Sequence, residues 1–239
     1  MSQYTGVIGG LGENPFTTND ANPSHSLGAV MAADGNRRFV YVRNGTVAMT
    51  RGLMYQAPTE DTADQDITPT AAAVGATSIV TSSTMTVTAN QYAGGWIVVS
   101  VTPGLGQVLK IKSHAAYTAA AATFLLEDPV QVALTTTSRI DFVVNPYNGV
   151  IVTPATLTGT PVGVAVNAIS ASQYGWLQTW GPAPVTADAG GAITVDDALS
   201  TSNATVGCVE VGVAGQPNVG YASTGIAANE TGLAFLRIA

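Results

Sequence analysis

The chain has 239 residues, of which only 10% are charged, and its formal net charge is −7. Because an average soluble domain has about 25% charged residues, we expect sister subunits or a larger assembly to cover much of this surface. Lys and Arg total eight. This argues against nucleic acid as a partner, since such binding needs a basic footprint, and against a membrane partner, since anionic lipid attracts basic segments.

The residue types favour strands over helices. β-branched Thr and Val suit pleated sheets, and the 26 glycines suit tight turns, so the sequence predicts an all-β fold. The N-terminus (MSQYTGVIGGLGENPF) has neither a basic start nor a long apolar run, so we expect no signal peptide. The single cysteine, Cys208, lies in an apolar strand-like run and is expected to be an inert core thiol.

Residues 1–26 are predicted to form an extended N-terminal arm, because they contain several glycines and prolines and few strand formers. An arm of this kind becomes ordered when it lies across a neighbour. We therefore assign contacts between subunits to three of its apolar residues, Tyr4, Leu11 and Phe16.

A β-domain is predicted from residues 27–58 together with residues 151–239. In the first part, Asp34-Gly35 marks a hairpin turn, and residues 37–43 alternate between two faces as a strand does. In the second part, the strand-like segment 174–180 carries aromatic residues that anchor a core or an interface. The sequence ends in the apolar run LAFLRIA. From these segments we assign interface contacts to Trp176, Trp180 and Phe235.

An inserted β-domain is predicted over residues 74–150, after an acidic segment at 59–69 that is interpreted as a solvated linker. Six or seven short strands with frequent turn signals indicate a small barrel or sandwich. Residues 115–122 are predicted to be a short helix or an alanine-rich loop. The aromatic residues Trp96, Tyr92 and Tyr117 are candidates for stacking on glycans, and core packing is the alternative that we favour for Trp96.

The sequence offers little catalytic chemistry. GxSxG, HExxH and P-loop patterns are missing from it. His25 has no acidic partner in view, and His114 follows two lysines and is interpreted as part of a basic surface spot. With two histidines and one cysteine no structural zinc set is expected, so we predict no metal, no cofactor and no enzymatic activity. A sugar-cleaving carboxylate pair, Asp141 with Glu127, is the alternative from another functional class.

Several segments carry a family resemblance. They are LGAVMAADGNRRFVYVRNG and MTRGLMYQAP in the first part of the β-domain, and GWLQTWGPAPV, GGAITVDD and GCVEVGV in the second part. Together they resemble the head-decoration (capsid cement) proteins of tailed bacteriophages. The matching pieces are residues 51–54, 175–178 and 190–193.

The resemblance implies a small β-rich (β-tulip-like) decoration domain that carries the inserted domain and the arm. It also implies a virion protein, made in the host cytoplasm, that binds the outer surface of an icosahedral capsid as a homotrimer. Its partners would be the major capsid protein and other copies of itself. A tail, fibre or baseplate component is the structural alternative, and a glycan-binding β-domain is the alternative of a different class.

Overall fold

The computed structural model describes residues 13–238 and the backbone of residues 8–9. Regular structure in this part of the chain is almost all strand, and its sole helical element is a 3-10 turn at Thr62–Asp64. The predicted all-β fold is therefore confirmed. The chain divides into two compact units: a main unit of Met1–Thr59 with Pro146–Ala239, and an inserted unit of Glu60–Asn145.

Sixteen strands lie in the described residues. Eleven belong to the sheet of the main unit and five to the sheet of the inserted unit. In chain order the strands are β1 (Ile8–Gly9), β2 (Val30–Ala33), β3 (Arg37–Asn44), β4 (Met54–Gln56), β5 (Ser78–Val87), β6 (Trp96–Val101), β7 (Val108–His114), β8 (Tyr117–Leu126), β9 (Arg139–Val143), β10 (Asn148–Val152), β11 (Pro161–Ala165), β12 (Tyr174–Thr186), β13 (Ala198–Thr201), β14 (Val209–Val211), β15 (Asn218–Ala222) and β16 (Thr231–Arg237).

Five strands of the main unit close into a small barrel. The order is β3, β10, β4, β11 and β12, and β12 pairs again with β3 to complete the ring. The β3–β10 pairing is parallel and the other four are antiparallel. Alternate residues of β3 point to opposite faces, so Val40 and Val42 join one core cluster with Leu177, while Phe39 and Tyr41 join another.

The second half of β12 extends beyond the barrel into a further part of the sheet. There it pairs with β16, and β15, β13 and β14 follow in that order. One face of this extension is buried in its own apolar cluster, which includes Ala183, Val185, Leu199, Val219 and Leu236. The strand β12 therefore contributes to two cores, and its 13 residues run through both.

Residues 13–26, the described part of the predicted arm, pack on their own chain. The Phe16 ring meets the Phe39 ring edge-on, with 5.8 Å between centroids. The backbones of Asp20 and Tyr174 exchange two hydrogen bonds of 2.9 and 2.8 Å. These contacts cover the second face of the β3–β12 pair, so the arm is part of the fold over these residues.

The inserted unit is an antiparallel sheet in the order β5, β8, β7, β6 and β9. Residues 67–70 bond to both edges of this sheet: Ile67 exchanges hydrogen bonds with Ile140 of β9, and the Thr70 amide donates to Val80 of β5. The sheet is thereby closed around one apolar core, whose largest members include Phe124 and Phe142.

Three predictions about the inserted domain are wrong in detail. Its start was predicted at residue 74, but the unit begins at Glu60, because Ile67 and Ala72 are buried in its core. Its end was predicted at residue 150, but β10 belongs to the barrel of the main unit. The third concerns residues 115–122, predicted as a short helix or an alanine-rich loop: residues 117–122 lie in β8, where Ala120 and Ala121 pair with Met85 and Thr84 of β5.

Candidate interaction surface

The exposed side of the β12–β16 pair is the strongest candidate for a functional site. Along β12 the side chains of Trp180, Pro182 and Pro184 alternate with the buried Ala183 and Val185. On β16 the same alternation leaves Leu233 and Arg237 exposed and Phe235 half-buried. Because paired residues of an antiparallel sheet point to the same side, the register Trp180↔Arg237, Pro182↔Phe235 and Pro184↔Leu233 gathers these side chains on one face.

Aromatic rings and guanidinium groups form a continuous row across this face. The Arg38 guanidinium lies 5.5 Å from the Trp180 ring centroid, and the Trp180 and Phe235 centroids are 5.7 Å apart, edge to face. The Arg237 guanidinium lies 4.9 Å from the Tyr221 ring. Each exposed cation–π contact contributes about 0.5–1 kcal/mol, so these contacts favour the observed positions of the side chains. We call Arg38, Trp180, Tyr221, Phe235 and Arg237 the aromatic–arginine face.

A β-bulge places Trp180 on this face. In the pairing of β12 with β3, Gln178 is opposite Phe39, and Trp180 is opposite the very next residue, Arg38. The extra residue in β12 turns the following side chains to the other side of the sheet. The buried amide of Gln178 donates to the carbonyl oxygens of Trp180 and Pro182, at 2.9 and 2.8 Å, and so supports the backbone where β12 leaves β3.

An open concavity of about 450 Å³ adjoins the free edge of β12. Its lining includes Phe16, Arg37, Pro182, Pro184 and Leu233. The Arg37 guanidinium lies 4.9 Å from the Phe16 ring centroid. The concavity therefore continues the pattern of apolar surface next to arginine.

The local charge of this surface is opposite to that of the whole chain. The chain carries a net charge of −7, yet Arg37, Arg38 and Arg237 lie here. The three ion pairs among the described residues involve other groups, so none of these arginines has a carboxylate partner there. Arg37 Nε donates to the backbone oxygen of Asp34, and Asp34 also lines the concavity.

Three of the six predicted interface residues lie at this surface, namely Phe16, Trp180 and Phe235. Trp176 does not, because its side chain is 0% exposed and its Nε1 donates to Glu13 Oε1 at 3.2 Å. Tyr4 and Leu11 lie outside the described residues. The prediction also missed residues that complete the surface: Arg38, Tyr221, Leu233 and Arg237, together with the two prolines. The alternating patterns WGPAP and LAFLR are the signal that could have identified the prolines, Leu233 and Arg237.

His25 has an acidic partner that sequence reasoning did not find. Its Nε2 lies 2.8 Å from Glu13 Oε2, and its ring packs against those of Tyr41 and Trp176. Burial raises the pKa of Glu13, but hydrogen bonds from His25 and Trp176 outweigh it and leave the pKa below its usual value. The contacts of Glu13 and His25 with Trp176 and Tyr41 tie residues 13–26 to the sheet, so this cluster has a structural role.

The interpretation of His114 as surface is wrong, and the acidic segment is solvated only in part: Glu60, Asp61 and Asp66 are exposed, but Asp64 is buried. Asp64 is 5% exposed and accepts a 2.5 Å hydrogen bond from the Tyr92 hydroxyl. His114 is also buried, and its Nε2 accepts from the Tyr92 amide at 3.0 Å while its Nδ1 lies 2.9 Å from the Ala115 oxygen. Burial lowers the pKa of His114. Tyr92 is 1% exposed and so is not available for stacking on a glycan.

The remaining chemical candidates also have structural partners. Glu127 pairs with Lys110 at 2.9 Å, whereas Asp141 accepts a 2.7 Å hydrogen bond from the Asp66 amide. Cys208 is buried, and burial raises the pKa of its thiol, as expected for an inert core cysteine. Among the described residues, no group of three His, Cys, Asp or Glu side chains is arranged to hold a metal ion.

Comparisons with protein families, curated proteins and solved structures found no match to this chain. In the part of the chain that the structure describes, no helix is both long enough and apolar enough to cross a membrane.

Proposed function

We propose that this chain is a capsid decoration protein of a tailed bacteriophage. In this proposal it binds the outer surface of the icosahedral shell as a homotrimer and stabilises the shell by bridging subunits of the major capsid protein. The aromatic–arginine face is the observation that carries the proposal, because a monomer has no internal use for a row of partly exposed rings with arginines beside them. The motif resemblance to capsid cement proteins supplies the class of partner.

In this proposal the protein stabilises the shell mechanically. A shell under internal pressure fails where its subunits meet, and a protein that spans such a joint adds buried area there. An interface of ordinary size buries about 1,600 Å², and Trp, Tyr and Arg dominate the binding energy of such interfaces. Three linked copies strengthen attachment further, since each later contact is intramolecular.

Copy number in purified particles tests the class of function. Decoration requires hundreds of copies per particle, which quantitative mass spectrometry measures directly. A few copies per particle would instead indicate a tail, fibre or baseplate component. Absence from purified particles would contradict both structural functions.

Co-sedimentation with shells that lack the chain tests the surface. We expect W180A/F235A to weaken binding at least thirtyfold, an order-of-magnitude figure for loss of a hot-spot aromatic residue. L105A is the matched control, because Leu105 is 61% exposed and belongs to the inserted unit. Equal binding by wild type and W180A/F235A would remove this surface from the proposal.

A further inference from the structure

The arginines of the aromatic–arginine face have unused hydrogen-bonding capacity. Arg38 packs over Trp180 and Arg237 packs over Tyr221, and neither has an ion-pair partner among the described residues. A guanidinium group carries five N–H donors in its own plane. The contacts of Arg38 with Trp180 and of Arg237 with Tyr221 use none of these donors, so the donors are available to a partner.

A carboxylate fits these donors best. Arginine and carboxylate groups form two parallel hydrogen bonds, and this bidentate pairing is shorter and stronger than a neutral hydrogen bond. The ring beneath each guanidinium restricts its rotation, so less side-chain entropy is lost on binding. Arg37, held near Phe16 at the adjoining concavity, adds a third cation of the same kind.

The edge of β12 directs how a partner approaches. Proline has no N–H to donate to a ladder and is a common means of blocking a sheet edge. Pro182 and Pro184 therefore remove two donors from β12 beyond its contact with β3. A partner at this place cannot add a regular strand, and it must bind through side chains on the face.

We infer that the aromatic–arginine face binds an acidic protein surface on which carboxylates stand beside apolar side chains. The carboxylates would meet Arg38 and Arg237, and the apolar groups would cover Phe235 and Leu233. The inference rests on the proposed function for naming the shell as the source of that surface. A nucleic acid fits less well, because Asp34 lies beside Arg37 and the prolines and Leu233 offer nothing to a phosphate backbone.

Charge reversal on shells is the direct test. We expect R38E/R237E to bind shells about a hundredfold more weakly than wild type, which is about tenfold for each charged hydrogen-bonded group lost. K112E is the control, because Lys112 is exposed on the inserted unit and the substitution reverses one charge in the same way as each of the two arginine substitutions. R38K/R237K should fall between wild type and the reversed variant, since lysine keeps the charge but lacks the bidentate edge. Circular dichroism establishes that each variant is folded.

A second probe separates this inference from the proposed function. Poly-glutamate should bind wild type and K112E, and it should bind R38E/R237E at least tenfold more weakly. If wild type fails to bind shells, the proposed function is contradicted, while the poly-glutamate result still decides the inference. Equal binding of poly-glutamate by wild type and R38E/R237E would overturn the inference. Tighter binding of duplex DNA than of poly-glutamate would overturn it in favour of a nucleic-acid partner.

Discussion

Replacing Tyr92 with Phe removes one hydrogen-bond donor from the core of the inserted unit. The Tyr92 hydroxyl is the donor to Asp64, and both side chains are almost fully buried. Burial raises the pKa of Asp64, and the hydrogen bond from Tyr92 opposes that rise. In Y92F the carboxylate stays buried and loses this donor.

The expected cost follows from the charge of the acceptor. A hydrogen bond to a charged group contributes about 1.5–3 kcal/mol, and a buried acceptor left without its donor loses the full amount. We therefore expect Y92F to lower the free energy of unfolding of the inserted unit by about 2–3 kcal/mol at pH 7. For a domain of this size that corresponds to a fall in Tm of about 10–20 °C.

The pH dependence gives a second, independent readout. Because the folded pKa of Asp64 lies above its unfolded pKa, Asp64 favours folding most at low pH, and this contribution is lost as the pH rises through the folded pKa. Loss of the Tyr92 donor raises the folded pKa further. The difference in stability between wild type and Y92F should therefore shrink as the pH is lowered from 7 towards 4.

Thermal and urea unfolding followed by near-ultraviolet circular dichroism measure both effects. Y117F is the matched control, because Tyr117 lies in β8 and is only half-buried. It should change the free energy of unfolding by less than about 0.5 kcal/mol. The reasoning is refuted if Y92F and Y117F have the same stability at pH 7, or if the penalty of Y92F does not depend on pH.

Two further predictions concern a glycine and a histidine. G181A should destabilise the main unit by about 2–3 kcal/mol in urea unfolding, because Gly181 has a φ of +86° and a Cβ there would collide with the Asn36 carbonyl oxygen. G191A, where a Cβ meets nothing within 4 Å, should be neutral, and equal effects would contradict the argument. Because burial lowers the pKa of His114, its contribution to stability is present above the unfolded pKa of about 6.5 and is lost as the pH falls through the folded pKa. Titration of unfolding from pH 7.5 to 5 should show this loss in wild type and not in H114Q.

The all-β class and the insertion of one β-unit into another could be predicted because they depend on local patterns. Branched residues, glycine turns and period-two alternation are properties of short segments. The boundary at residue 74 could not be placed correctly in the same way. Ile67 joins the inserted unit by pairing with Ile140, a residue far away in the sequence. Because acidic residues surround Ile67 in the sequence, the local pattern does not indicate a buried residue.

The histidines show the same limit at the level of side chains. The neighbours of His114 in sequence are lysines, but its neighbours in space are Tyr92 and Phe124. His25 has Glu13 as its partner because residues 13–26 turn back across the β3–β12 pair. A residue's ionic environment is set by strand pairing and chain reversal, and neither is visible in a window of ten residues.

Trp176 and Trp180 show why half of the candidate site could be predicted and half could not. They are four residues apart on one strand, so strict alternation puts both on the same face and gives both the same role. The bulge between Gln178 and Trp180 breaks that alternation: Trp176 stays opposite Tyr41, under residues 13–26, and Trp180 turns to the side of Arg38. One inserted residue thus makes one tryptophan part of the core and the other part of the exposed surface. The position of Trp180 on the aromatic–arginine face therefore depends on the bulge before it and on Gly181, whose φ of +86° follows it.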